Sequence, residues 1–241
     1  MEEISRKSLL YKSGLGFWCI NHVQGCSHGC RSPCYAWMMA HSRGRVETYS
    51  DWCRPYLVAN AVELLGKELN RMKSKPDNIH LCLTTDPFMY GYPEVTELTL
   101  QLVELINSYG ITCSTLTKGI MPLILADSGR FSVNNTYGIS LISLDEEFRK
   151  KWEPGAAPYA DRIGALRELH DLGCSTLVHI EPYPTPNIIS QDLSSLLEEV
   201  RFADEIWFGG WNYNNVVKQY PDHTRFYSEQ SAIVSRFLSG R

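Results

Sequence analysis

Three cysteines, Cys26, Cys30 and Cys34, fall within the stretch GCSHGCRSPCYAW. Thiolates bind soft or borderline metals, and three on one turn-rich loop can hold either zinc with a fourth ligand or three corners of a four-iron cluster. Zinc would find that ligand among His22, His28, Cys19 and Cys53, yet zinc knuckles usually arrive as two separated cysteine pairs. The single tight trio suits a cluster better. Further along come a Thr84-Thr85-Asp86 run, Lys118 after an apolar-rich stretch, Glu153 and Arg162 around a Pro/Gly-rich segment, Glu181 in IEPYP, and the aromatic run FGGWNYN. Taken alone, each has an ordinary reading. Lys118 is then a solvated turn lysine, Ser140 an inward strand serine bonded to backbone, and Asp86 an Asx-type organiser of its own loop.

Something must bring these groups together, and the pattern of the chain supplies it. Residues 17–23, 79–84, 111–117, 136–143, 175–180 and 205–210 are rich in β-branched or aromatic side chains and bounded by turn formers, so they read as six strands. Helical spacing recurs between them, in Leu57 to Met72, Val95 to Tyr109, Ile163 to Leu172 and Leu193 to Val200, with Ser190 a plausible N-cap and a last helix around 227–238. Strand–helix alternation of this length favours parallel strands with right-handed crossovers, here an α/β partial (β/α)6 TIM-like barrel formed by one domain, 1–241. In such sheets functional groups gather at the carboxyl ends of strands. The cysteine loop, the Thr84–Asp86 run, Lys118, Glu181 and the 209–213 segment all follow predicted strands.

The 241 residues are 44% hydrophobic, enough for a sizeable core, and the net charge of −4 is spread without long blocks of one sign. Bulk charge therefore offers no general attraction for a phosphate backbone, although a local basic groove stays open. The N-terminus has no signal-peptide core and no apolar run is long enough to span a membrane, which points to a cytoplasmic protein without membrane partners. Eight cysteines in a reducing compartment stay thiols, so three in one loop read as metal ligands rather than as a disulfide framework.

Taken in order, GCSHGC…CYA, TTDPF, TLTKG, GISLISLDEEFRKKWEP and HIEPYP resemble the radical S-adenosylmethionine superfamily, nearest in motif order to its spore photoproduct lyase-like members. The resemblance runs from about Val23 to Asn214. It implies a [4Fe-4S] cluster held by Cys26, Cys30 and Cys34, whose remaining iron chelates S-adenosylmethionine, and a 5′-deoxyadenosyl radical that takes hydrogen from an inert C–H bond. Carried over position by position, it puts Thr85 against the methionine part of the cofactor, Lys118 against its carboxylate, and Ser140 in contact with the same molecule. One departure is plain. The family loop is C-x3-C-x2-C with an aromatic before the last cysteine, whereas this one is C-x3-C-x3-C with Pro33 there, leaving the adenine contact to Tyr35 or Tyr183. Glu181 is a candidate for cofactor or substrate, and Trp211, Asn212 and Tyr213 for a substrate wall.

The resemblance also implies an electron donor such as a flavodoxin or ferredoxin. The modest length, mild acidity and lack of a basic aromatic array favour a small molecule or peptide over duplex nucleic acid. The alternatives are a nucleic-acid repair lyase and a non-catalytic zinc-stabilised binding module. Against the lyase, the place of its hydrogen-donor cysteine is taken by Leu83, and Cys82, one residue earlier, is expected on the opposite strand face.

Overall fold

A computed structural model describes residues 1–31 and 34–241. Its strands are β1 Glu2–Ile4, β2 Leu10–Lys12, β3 Trp18–Ile20, β4 Val23–Gln24, β5 Tyr56–Val58, β6 Asn78–Leu81, β7 Thr112–Thr117, β8 Thr136–Ser140, β9 Ser175–Tyr183 and β10 Glu205–Gly210. Interleaved are helices α1 Tyr35–Ser42, α2 Tyr49–Trp52, α3 Ala61–Arg71, α4 Pro93–Ser108, α5 Glu146–Trp152, α6 Tyr159–Asp171, α7 Leu193–Glu199, α8 Asn215–Lys218 and α9 His223–Ser239.

Seven strands form one sheet in the order β10-β9-β8-β7-β6-β3-β2, and the six from β3 to β10 pair in parallel. This is the expected partial barrel. The antiparallel strand β2 was not expected and forms one edge, leaving the barrel unclosed between β2 and β10. A second, small sheet, β1-β5-β4, joins the amino-terminal strand to two strands of the long excursion between β3 and β6 that also carries the cysteine loop.

Strand side chains alternate between faces, so the sheet has a helix side and a concave side. Ile20, Ile79, Leu81 and Cys113 pack against Leu65 and Leu69 of α3 and Leu98, Leu102 and Ile106 of α4. Tyr137, Ile139, Val178, Ile180 and Ile206 pack against Leu166 and Leu169 of α6, Leu196 of α7 and Val234 of α9. These apolar positions recur every two residues on strands and every three or four on helices, the spacing that seats each face on the other. The intervening strand positions, Cys19, His80, Ser114, Ser140, His179, Glu181 and Trp207, are left for the concave side.

The boundaries shift where local chemistry overrides pattern. The expected strand 79–84 stops at Leu81, because Cys82 adopts φ +59°, outside the extended region. The helical pattern expected from Leu57 begins at Ala61, since 56–58 pair with β1 and β4. Helix α7 is capped by Asp192, not Ser190; its carboxylate accepts from the Ser194 and Ser195 amides. Helix α5, too short for apolar periodicity to reveal, is nucleated by Asp145, which accepts from Glu147 and Phe148.

Candidate active site at the barrel mouth

The cysteine loop leaves β4 and is held from several sides. The Cys26 amide donates to the Trp52 carbonyl (2.9 Å), the Tyr49 hydroxyl donates to the Cys30 carbonyl, and Cys34 is the N-cap residue of α1. From the far side of the barrel, the Arg31 amide donates to Trp152 (2.8 Å) and the Gly155 amide to His28 (3.0 Å). A Cβ at Gly155 would collide with the Ser27 carbonyl oxygen, so only glycine lets the segment after α5 lie this close to the loop. The extra loop residue and the proline at 33 fall on Ser32–Pro33, outside the described residues.

Burial pushes the Cys26 thiol well above its usual value, and its neighbour Cys30 adds to the rise. Burial likewise takes Cys30 to about 12, with the Lys118 ammonium pulling the other way. Buried thiols of this kind give up their protons to a metal, not to water. The donor set is thus three thiols. Among the described residues no three His, Cys, Asp or Glu side chains stand at the spacing of a single metal ion. Of the fourth ligands open to zinc, His28 lies 3.5 Å from Asp86, His22 bonds Thr99 (2.7 Å) and faces the Cys82 sulfur, and Cys19 donates to the Phe17 carbonyl, while Cys53 packs beside Cys26 and Cys34.

Asp86 ties the loops together. Its carboxylate accepts from the Phe88 amide (2.9 Å), the Thr117 hydroxyl (2.5 Å) and the Lys118 amide (2.8 Å), so it orders its own turn and fastens it to the end of β7. Beside it the Thr85 hydroxyl is buried and faces the Cys82 thiol, with no hydrogen bond of normal geometry among the described residues. An orphaned buried donor is costly, by about 1–3 kcal/mol, unless something absent from the bare chain fills the gap.

The Lys118 side chain reaches Glu153 (2.6 Å), whose other oxygen meets the fully buried Arg162 (3.2 Å). Arg162 also donates to the carbonyls of Ser140 (2.9 Å) and Ala157 (2.8 Å). Glu153 and Arg162, which flank the Pro/Gly-rich segment, form an ion pair, and Lys118 is its third member. Burial alone would raise the Glu153 carboxyl, but Lys118 and Arg162 outweigh it and hold it near 2. Lys118 is shifted upward in turn, with Glu153 overcoming the effect of burial.

Tyr35 is half exposed, yet its hydroxyl reaches in to the Leu83 carbonyl; burial, then Cys34, Tyr11, Cys19 and Glu181, raise its pKa. Tyr183, the other aromatic offered for the adenine contact, is buried on the helix side, in the cluster with α6 and α7. Glu181 lies 3.4 Å from His179, and burial raises its carboxyl. Of the expected substrate wall, Trp211 is 4% exposed and stacks edge-on with Trp152 (5.2 Å), while Asn212 and Tyr213 sit on an exposed turn. The concave side instead offers His80, His179 and Trp207, which sequence reading passed over. Period-two counting from Ile79, Val178 and Ile206 would have found them. Burial lowers His80 and His179 to about 4, helped by His179 and Lys118 respectively, so both rings are neutral at pH 7.

Cys82, expected on the outer face by strand alternation, lies on neither strand face; it is buried with Val23, Met89 and Val95, and Cys26 packs against the same cluster. The strand has already ended, and the left-handed backbone at Cys82 turns the side chain toward α4.

A family model described as the radical SAM superfamily matches residues 20–200. An uncharacterized protein, ORF301, of Acidianus two-tailed virus is 22% identical over 189 residues, 76% of this chain and 61% of the viral one. Among solved structures, spore photoproduct lyase complexed with dinucleoside spore photoproduct superposes with a TM-score of 0.65 at 16% identity, over 90% of this chain and 65% of the lyase. Methylornithine synthase gives 0.51 at 16% identity, over 80% and 52%. The chain thus spans less than two thirds of the length of each.

Proposed function

The chain belongs to the radical SAM superfamily, and from that premise we propose that it is an enzyme that reductively cleaves S-adenosylmethionine and uses the resulting radical to abstract hydrogen from a substrate held on the concave side. A [4Fe-4S] cluster and S-adenosylmethionine are the cofactors that membership brings. When bound, they supply a 5′-deoxyadenosyl radical able to take hydrogen from an unactivated C–H bond. The observation that carries the reading is the meeting of three thiols, an orphaned Thr85 hydroxyl and the Lys118 ammonium at one end of the parallel sheet.

In this reading Cys26, Cys30 and Cys34 hold the cluster. Thr85 and Ser140 orient the methionine part, and Lys118, steadied by Glu153, meets its carboxylate. Tyr35 flanks the adenine, and Glu181 reaches cofactor or substrate. The segment 211–213 borders the mouth from beyond. Leu83 stands at the place of the lyase-like proteins' hydrogen-donor cysteine, which supports consumption of S-adenosylmethionine rather than its regeneration. A flavodoxin- or ferredoxin-like donor supplies the electron. No helix among the described residues is long and apolar enough to cross a membrane, and we place the enzyme in the cytoplasm.

Anaerobic reconstitution is the test. The expected outcome is about four irons and four sulfides per chain and, with dithionite, release of 5′-deoxyadenosine. Cys30→Ala should lose the iron, whereas Cys113→Ala, altered on the helix side, should keep it. One zinc per chain and no visible absorption would establish the zinc module instead.

A further inference from the structure

Three arginines converge where the acidic chain gives no reason to expect them. Arg6, in the link between β1 and β2, donates to the Asn21 carbonyl (2.9 Å) and the Gln24 side chain (3.3 Å), and its backbone is clamped in both directions by Asn60. Arg43 and Arg45 follow α1 and line the same pocket, whose walls include Asn21, Gln24 and Thr84. None of the three meets a carboxylate within 4 Å among the described residues, and no acidic residue lines the pocket. The other arginine pinned in place near the site, Arg162, has Glu153 to balance it.

Guanidinium groups brought together without a counterion repel one another. Burial, then Arg45, lowers the Arg6 pKa, the sign of a cation pressed against a like charge. Arg6 is held in place by four hydrogen bonds, while Arg43 and Arg45 are exposed where they line the same pocket and can turn toward a ligand in it. The pocket holds about 50 Å³, room for a few water-sized atoms, which is the bulk of one tetrahedral oxyanion. Planar guanidinium forks match the paired oxygens of phosphate, and the Thr84 hydroxyl and the Asn21 and Gln24 amides are neutral groups that add donors without opposing charge.

We propose that Arg6, Arg43 and Arg45 form a phosphate-binding subsite at the barrel mouth, which anchors a phosphate ester group of the substrate beside the cofactor site. The proposal builds on the radical-enzyme reading and narrows its substrate class. The pocket reaches Thr85 on its inner side, so a phosphate held there lies next to the residue assigned to the methionine part. Lys118 is not among its lining residues; it stays with Glu153, leaving two separate cationic centres for two separate anions.

Inorganic phosphate is the first probe, titrated into the reconstituted full-length protein by calorimetry with S-adenosylmethionine saturating. Saturable binding is expected, weakened roughly tenfold or more in the Arg43→Gln/Arg45→Gln double variant, which removes two of the three charged donors. Both side chains are exposed, so the variant should keep its circular dichroism; Arg6→Lys, which retains charge but loses the fork, should weaken binding as well. A nucleoside 5′-monophosphate and a series of short oligonucleotides separate the possible sources. Affinity independent of length supports a small phosphate ester, and affinity rising with length and falling steeply with salt supports a polynucleotide backbone. Three results would overturn the subsite: no saturable phosphate binding at 10 mM (roughly −3 kcal/mol), binding unchanged in the double variant, or competitive displacement of phosphate by S-adenosylmethionine. Iron content and 5′-deoxyadenosine release, measured on the same preparations, report separately on the radical-enzyme reading.

Discussion

Lys118 sits in a buried ion network and is also the residue proposed to meet the cofactor carboxylate, so its two parts can be tested separately. It lies against a buried carboxylate that Arg162 also holds, and such a triad is stable only while complete, because removing one charge from a buried set typically costs about 3–5 kcal/mol. The Lys118 ammonium has three N–H donors, and Glu153 faces one side of it, which leaves donors for a ligand carboxylate in front. Lys118→Ala should therefore weaken S-adenosylmethionine binding by roughly 1–3 kcal/mol while also lowering the melting temperature. The two effects part in Lys118→Arg, which keeps a charge beside Glu153 but changes the donor geometry. Its stability should stay near that of the parent while its cofactor affinity falls. Equal affinity in Lys118→Ala and the parent, measured by equilibrium dialysis, would return Lys118 to a purely structural part in the triad.

At the scale of elements, the site depends on how tightly three loops are pressed together. The cysteine loop, the turn after β6 and the end of β7 meet through Asp86, and the segment after α5 closes on the loop at Gly155. Gly155→Ala would drive a methyl group into the Ser27 carbonyl, so the loop must shift, while residue 155 lies outside every strand and its change leaves the pairing of the sheet in place. We expect native far-UV circular dichroism together with a several-fold loss of iron retained after desalting; full retention would mean that the loop yields without moving its thiols. Much of this architecture was legible in advance. The six parallel strands announce themselves through β-branched runs, and the cysteine trio, Lys118 and the Glu153–Arg162 pair through residue type and order. What stayed hidden has physical causes. Strands β1, β2 and β5, three residues each, are too short for a period to register. Cys82 leaves the strand through a single backbone angle that no side-chain pattern encodes. The Arg6–Arg45 convergence joins residues far apart in sequence, through a clamp at Asn60 that becomes visible only when β1 pairs with β5.

For the molecule as a whole, spore photoproduct lyase superposes on 90% of this chain and 65% of its own length at 16% identity, which makes the likeness one of fold. Within this chain the sheet runs unbroken from β2 to β10, and its two helix-side clusters are not separate cores, because Leu100 of α4 packs against both. The carboxyl-terminal Arg241 donates to the Arg201 carbonyl (2.7 Å), tying the last residue to the turn after α7. A chain connected in this way has no seam along which one half could unfold while the other survives, so the cluster-free protein should unfold in urea as one cooperative unit. Far-UV circular dichroism reports on the helices and strands throughout. Tryptophan fluorescence reports on Trp52 beneath the cysteine loop, Trp18 on β3 and Trp211 beside Trp152. The two transitions should share a midpoint and a slope. Two resolved midpoints, with fluorescence changing first, would instead show that the cysteine-loop excursion between β3 and β6 unfolds independently of the sheet, and that the single-domain reading of residues 1–241 does not hold.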